Sequence, residues 1–207
     1  MNMNIDKGLL IVVSGPAGSG KGTVVSLVRE KLPDIGFSVS ATTRKPRPGE
    51  KDGVHYFFIT KEEFLKKVSM GEVLEHTEYC DNYYGTLKSE AQRVLGEGRD
   101  LILDIEVDGA TQIKKQFPDA VCIMLIPPDK ETLEKRLRGR GTETDEVVRE
   151  RLARARKELE YLPTYDYVII NDTDETEECA EAFISVIKAE HMKASRKKSF
   201  IENFFAE

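Results

Sequence analysis

Hydrophobic residues in this chain come in short unbroken runs more often than in strict alternation. Leu9-Leu10-Ile11-Val12-Val13, Leu101-Ile102-Leu103-Asp104-Ile105 and Val121 to Ile126 each read as a strand buried on both faces. Phe37 to Ser40 and Tyr167 to Ile170 read as two shorter strands. Thr23 to Leu32 carries Val24, Leu27, Val28 and Leu32 on one side and stops at Pro33, the pattern of a one-sided helix. Asp129 is placed to cap a helix running to about Leu137, and Thr176 to about Met192 reads as the last helix. Strands alternating with helices predict an α/β fold around a parallel sheet with right-handed crossovers.

The texture changes after Ala41. Thr42 to Gly53 holds two prolines, two glycines and four basic residues, which predicts a loop. His55 to Ile59, a short helix near Glu62 to Val68, strand-like Val73 to Tyr79, a turn at Asp81-Asn82 and Tyr83-Tyr84-Gly85-Thr86 follow. Four of the seven tyrosines fall in this stretch, which separates it in composition from the rest. It reads as a small α+β lobe inserted between strands of the main sheet. The expected organisation is one domain over 1–207. Its core takes about 1–40, 97–130 and 160–207, the lobe about 41–96 and a lid about 131–159. The tail from Lys193 mixes basic residues with Phe200, Phe204 and Phe205. It reads either as a docked terminal helix or as a self-association surface, which would make a homo-oligomer.

Charge and cysteine usage narrow the class. With 31 basic against 37 acidic residues the net charge is −6, which disfavours non-specific nucleic-acid binding over the whole surface. Cys80, Cys122 and Cys179 lie far apart and form no CxxC pair, which fits a reducing compartment. His55, His76 and His191 have no metal-ligand spacing with them. The early apolar run is far too short to span a membrane, and no basic-then-apolar leader precedes it. The expectation is a soluble, cytoplasmic protein without a membrane or nucleic-acid partner.

The strongest chemical signal is Gly15-Pro16-Ala17-Gly18-Ser19-Gly20-Lys21-Gly22-Thr23, which leaves a strand and opens a helix. Glycines let backbone N–H groups curl round a phosphate, and the helix N-terminus adds partial positive charge. Lys21 can reach the β- and γ-phosphates of a nucleotide such as ATP, and a hydroxyl can face Mg²⁺. The general pattern places Ser or Thr directly after the lysine; here Gly22 intervenes, so Thr23 is the metal-facing candidate. A plain turn needs one or two glycines and leaves the lysine unexplained.

The second half of the chemistry lies in the inserted lobe. Phe37 to Glu50 places Arg44 and Arg47 on a proline-stiffened loop, and guanidinium forks suit phosphate. With Gly53-Val54-His55-Tyr56-Phe57-Phe58, Gly71-Glu72-Val73-Leu74-Glu75, Asn82 to Thr86, Ile102 to Glu106, Arg136 to Thr142 and Ile170-Asn171-Asp172, the chain resembles the guanylate kinase family from about Leu9 to Lys188. The resemblance implies a P-loop NTPase-type sheet and transfer of the γ-phosphoryl group of ATP to GMP with Mg²⁺. It implies that Ser40, Arg44, Arg47, Tyr56 and Tyr84 hold the GMP phosphate while Glu75 and Thr86 read the guanine edge. Guanine offers N1–H and N2–H₂ donors to one carboxylate; adenine lacks them and would strand a buried charge. Asp104 would orient magnesium waters or the lobe. Glu106, at a position usually Asp in the family, would contact the base. Asn171 would lie on the ATP side.

Seven arginines from Arg136 to Arg156 crowd one region, with Gly139 and Gly141 as hinges. Glu–Arg pairs such as Glu150–Arg154 account for Arg149, Arg154 and Arg156 as an exposed helix face. The resemblance implies that Arg136, Arg140 and Arg151 reach the phosphates on closure, alongside Lys21 and Arg44 in catalysis. A phosphopeptide-binding module and a kinase for phosphorylated sugars are the alternatives. The intact cradle argues against the first, and the Glu75–Thr86 pair against the second.

Overall fold

A computed structural model describes residues 8–79, 81–139, 144–197 and 204. Five parallel strands form the main sheet: β1 (Leu10–Ser14), β2 (Gly36–Phe37), β7 (Leu101–Asp104), β8 (Val121–Ile126) and β9 (Tyr167–Ile170), in the order β2-β7-β1-β8-β9. The central strand β1 is buried along its whole length, as its unbroken hydrophobicity requires. On one face, α1 (Lys21–Lys31) and α7 (Thr176–Met192), the latter through Phe183, pack over Ile11, Val13 and Ile123. On the other, α3 (Lys88–Gly96) and α4 (Val107–Gln116) cover Leu10, Val12, Leu101 and Leu103.

The second sheet has the order β4-β3-β6-β5, from β3 (Ala41–Thr42), β4 (Phe57–Phe58), β5 (Val73–Tyr79) and β6 (Asn82–Leu87). Helix α2 (Lys61–Ser69) opens with a capping box, Thr60 accepting from the Glu63 N–H and Glu63 reaching back. Asp81 turns the β5–β6 hairpin at φ 59°, a left-handed conformation that Asp tolerates. Helices α5 (Lys130–Arg138) and α6 (Asp145–Leu159) pack on each other through Leu133, Leu137, Val148 and Ala155. The carboxylate of Asp129 caps α5 by accepting the Thr132 N–H at 2.7 Å, as the sequence suggests.

Two local expectations need correction. The strand expected over Phe37 to Ser40 stops at Phe37, because the chain changes sheets there. The Gly36 and Ser38 N–H groups donate to Asp100 and Ile102 of the main sheet, whereas the Ser40 carbonyl already accepts from Phe57 in the second. The loop expected from Thr42 likewise begins one residue later, since Thr42 ends β3. No helix among the described residues is long and apolar enough to cross a membrane.

Candidate functional site

The glycine-rich loop joins β1 to α1 at the carboxyl edge of the main sheet, where α/β proteins place ligands. Helix α1 starts from Gly20, which sits at φ 85° and has no side-chain cap among the described residues. Its first-turn N–H groups therefore face the loop's concavity, a ready anion site. A Cβ on Gly20 would lie 2.2 Å from Asn171 Nδ2, so only glycine fits both the conformation and the space. Thr23 is exposed on the first turn of α1. Lys21 Nζ forms an ion pair with the Asp104 carboxylate at the end of β7.

A cavity of about 500 Å³ spreads from the cradle, lined by Gly15 to Thr23 and by Arg47, Arg151, Arg154, Tyr79 and Glu106. A second, of about 340 Å³, opens between the sheets against Ser40, Tyr56, Glu75, Tyr84, Asp104 and Glu106. Lys21, Tyr79 and Glu106 border both, so the two cavities meet at the mouth of the phosphate cradle.

Glu75 is 3% exposed and accepts the Thr86 hydroxyl at 2.7 Å. Burial pushes its carboxyl up to about 7, against the opposing pull of the Thr86 hydroxyl and N–H. Thr86 is itself fully buried and spends its hydroxyl proton on Glu75. It therefore orients the carboxylate. Tyr56 and Tyr84 meet edge to face at 6.1 Å, and the Arg44 guanidinium lies 5.4 Å over the Tyr56 ring. Burial raises the Tyr56 phenol, the neighbouring Tyr84 adding to this and Arg44 opposing it. Glu50 holds Arg44 through two hydrogen bonds of 2.9 Å, and the Arg44 pair keeps the Glu50 carboxyl down at about 2.

Three expected site residues stand elsewhere than the sequence suggests. Arg47 borders the cradle cavity and not the one holding Ser40 and Tyr84. Asn171 is buried beneath the loop, its Nδ2 donating to the Ser19 carbonyl at 2.8 Å, so it props the cradle. Arg136 donates to the Asn171 carbonyl at 3.0 Å and borders neither cavity. Arg140 lies outside the described residues.

Arg154, expected as a solvated helix residue, is the principal site residue that sequence reasoning misses. It donates to Glu158 at 2.7 Å and to Glu106 at 3.1 Å, and its guanidinium lies 4.5 Å over the Tyr79 ring. One side chain on α6 thus touches α4's N-cap and strand β5. Its i,i+4 partner is Glu158, where the sequence pattern pointed to Glu150. Burial raises the Glu158 carboxyl, with Arg154 opposing.

A strand, a glycine loop and an uncapped helix carrying a lysine, beside a second buried polar cavity, define a P-loop phosphotransferase with room for two ligands. The comparisons name the family. The guanylate kinase family model matches residues 7–190. The guanylate kinase of Desulfitobacterium hafniense is 45% identical over 195 residues, covering 94% of this chain and 96% of that protein. That of Clostridioides difficile is 45% identical over 205 residues, covering 99% of each. The crystal structure of guanylate kinase from Anaplasma phagocytophilum superposes with a TM-score of 0.74 at 34% identity, covering 91% of this chain and 89% of that one. The chain belongs to the guanylate kinase family.

Proposed function

We propose that the two cavities divide the reaction ATP plus GMP to ADP plus GDP between them, with the phosphates meeting at Lys21. The chain is an ATP:GMP phosphotransferase, a nucleoside monophosphate kinase, as its family and relatives are. The observation that carries the division of labour is the shared border of the cavities at Lys21, Tyr79 and Glu106. The cradle cavity takes the ATP phosphates on the loop and the α1 N-terminus. The other takes GMP, its guanine against Glu75 and its phosphate towards Ser40, Arg44, Tyr56 and Tyr84. Bound phosphate competes with Asp104 for Lys21 and with Glu50 for Arg44, so each cation passes from a protein carboxylate to substrate.

Phosphoryl transfer of this kind needs alignment and neutralisation of charge more than a covalent partner. The GMP phosphate oxygen is already anionic near neutral pH and needs no general base. Lys21 and Arg151 border the place where charge builds up, and the α5–α6 hairpin, acting as a lid, excludes water that would hydrolyse ATP. Mg²⁺ fits this donor set: it binds chiefly through phosphates and waters, and Thr23 and Asp104 are the residues that would face it. When bound it neutralises the β- and γ-phosphate oxygens. Cys122 and Cys179, free and buried, support a reducing, cytoplasmic setting.

A substrate panel tests the reading. With ATP, purified protein should phosphorylate GMP far faster than AMP, UMP or ribose phosphates. Equal rates on AMP would remove Glu75 as the base reader. Preference for a ribose phosphate would overturn the assignment of the second cavity, and binding of GMP without any turnover would favour a recognition module.

A further inference from the structure

Strand β5 carries Glu75, and it is an edge strand, paired among the described residues with β6 alone. Its ladder is irregular where Glu75 sits. Val73 pairs with Leu87 and His76 with Gly85, with a register shift between them. In that interval the Thr86 N–H and hydroxyl turn to the Glu75 carboxylate. A bulge of this type re-aims a side chain, and the ladder bonds it gives up have to be compensated elsewhere.

The open edge of β5 needs partners of its own. Gln112 on α4 makes a two-way amide pair with His76: its Oε1 accepts the His76 N–H at 3.2 Å, and its Nε2 donates to the His76 carbonyl at 2.8 Å. One helical turn on, Gln116 Nε2 donates to the Leu74 carbonyl at 2.8 Å. The two glutamines thus bracket Glu75, taking the place of a missing neighbour strand on either side of it. On the same helix Gly109 leaves room for the carboxylate, since a Cβ there would fall 2.3 Å from Glu75 Oε2.

We infer that Gln112 and Gln116 are positioning residues for base recognition, holding the irregular edge of β5 so that the Glu75 carboxylate faces guanine. The inference rests on the reading of Glu75 as the base-reading group. Neither glutamine borders either cavity. They act through Glu75, so their loss affects GMP selectively. A general loss of stability would act on both nucleotides.

The test is steady-state kinetics of Gln112→Ala with GMP, with ATP and with IMP, whose base lacks the 2-amino donor. Losing one donor and one acceptor contact should raise KM for GMP by about tenfold and leave KM for ATP within about twofold. The preference for GMP over IMP in kcat/KM should fall at least about threefold, because a displaced carboxylate no longer reaches both guanine donors. An unchanged KM for GMP, an unchanged preference, or equal rises in both KM values would overturn the inference. Should Gln112→Ala not fold, Gln116→Ala, which loses one bond, carries the same expectation at about threefold, and a flat result there is equally fatal. Glu75→Gln run in parallel separates the layers. If it leaves KM for GMP unchanged, the base reading fails and the inference with it. If it raises that KM while Gln112→Ala does not, the glutamine clasp alone fails.

Discussion

Replacing Glu75 by glutamine sets stability against function in one residue. Glu75 is 3% exposed, and burial pushes its carboxyl up to about 7 from the ordinary 4.5. The folded chain therefore holds this proton more tightly than the unfolded chain. The sign follows: the contribution to stability is full below about pH 4.5 and is lost as pH rises through about 7. The gap between the two values corresponds to about 3 kcal/mol, an upper figure for a site that relaxes. Glutamine has nearly the same shape, never ionises and keeps an oxygen to accept the Thr86 hydroxyl. Measured against the parent, Glu75→Gln should therefore gain up to about 3 kcal/mol between about pH 4 and pH 8. Urea unfolding at both pH values without nucleotide reads this directly, and taking the difference cancels every other titrating group. Stability curves that run parallel for parent and variant would refute the argument that an ionised carboxylate is being held in a dry site.

The same substitution should harm catalysis. Guanine presents two donors, and the amide answers with one acceptor and an NH₂ group that faces them. Loss of a charged hydrogen bond costs about 1.5–3 kcal/mol, so KM for GMP should rise roughly 10- to 150-fold while KM for ATP stays put. In the parent, KM for GMP should also fall as pH rises towards about 7, as Glu75 ionises. The variant should retain only the dependence due to the phosphate of GMP itself, near pH 6.

Other perturbations separate the remaining parts. Lys21→Met should lower kcat by at least about 10²-fold with unchanged circular dichroism; a loss below about threefold would remove the amine from the transition state. Gly20→Ala forces a side chain into φ 85° and to within 2.2 Å of Asn171 Nδ2, so thermal unfolding should report a loss of at least about 1–2 kcal/mol, with KM rising for ATP and not for GMP. Arg154→Met removes the partner of the buried Glu158 carboxylate and should cost about 1–2 kcal/mol, discounted for the exposure of the arginine. Adding Glu158→Gln should recover part of that loss, and a double variant no more stable than Arg154→Met would sink the pairing argument.

What the sequence disclosed follows from how local each signal is. Strands β1, β7 and β8 were legible because a strand buried on both faces must be apolar throughout, whereas β9, an edge strand with Val168 and Ile170 exposed, showed only as a short apolar run. The cradle was legible because its parts are consecutive. Helices α3 and α4 were not, since lobe and core share their faces and α4 interrupts its apolar stripe with Gly109 and Gln112 for contacts to β5. Arg154 meets Glu106 across 48 positions, a pairing no local pattern encodes. Asn171 was expected on the ATP side; its burial under Ser19, which makes it a prop, depends on where β9 ends relative to the loop.

The segment from Asp104 to Gln116 gathers several long-range contacts in one region. Within thirteen positions it supplies the partner of Lys21 at Asp104, the partner of Arg154 at Glu106, the clearance for Glu75 at Gly109 and the edge bonds to β5 at Gln112 and Gln116. It begins on the central sheet, where β7 pairs with β1, and ends against the open edge of β5 in the second sheet. The partner of Lys21 and the supports around Glu75 are thus built on one continuous strand–helix unit. A shift of that unit would move Asp104 and at the same time disturb the edge bonds that hold β5 around Glu75. The Lys21–Asp104 pair and the setting of Glu75 are therefore coupled through the hydrogen bonds that this unit makes to β5.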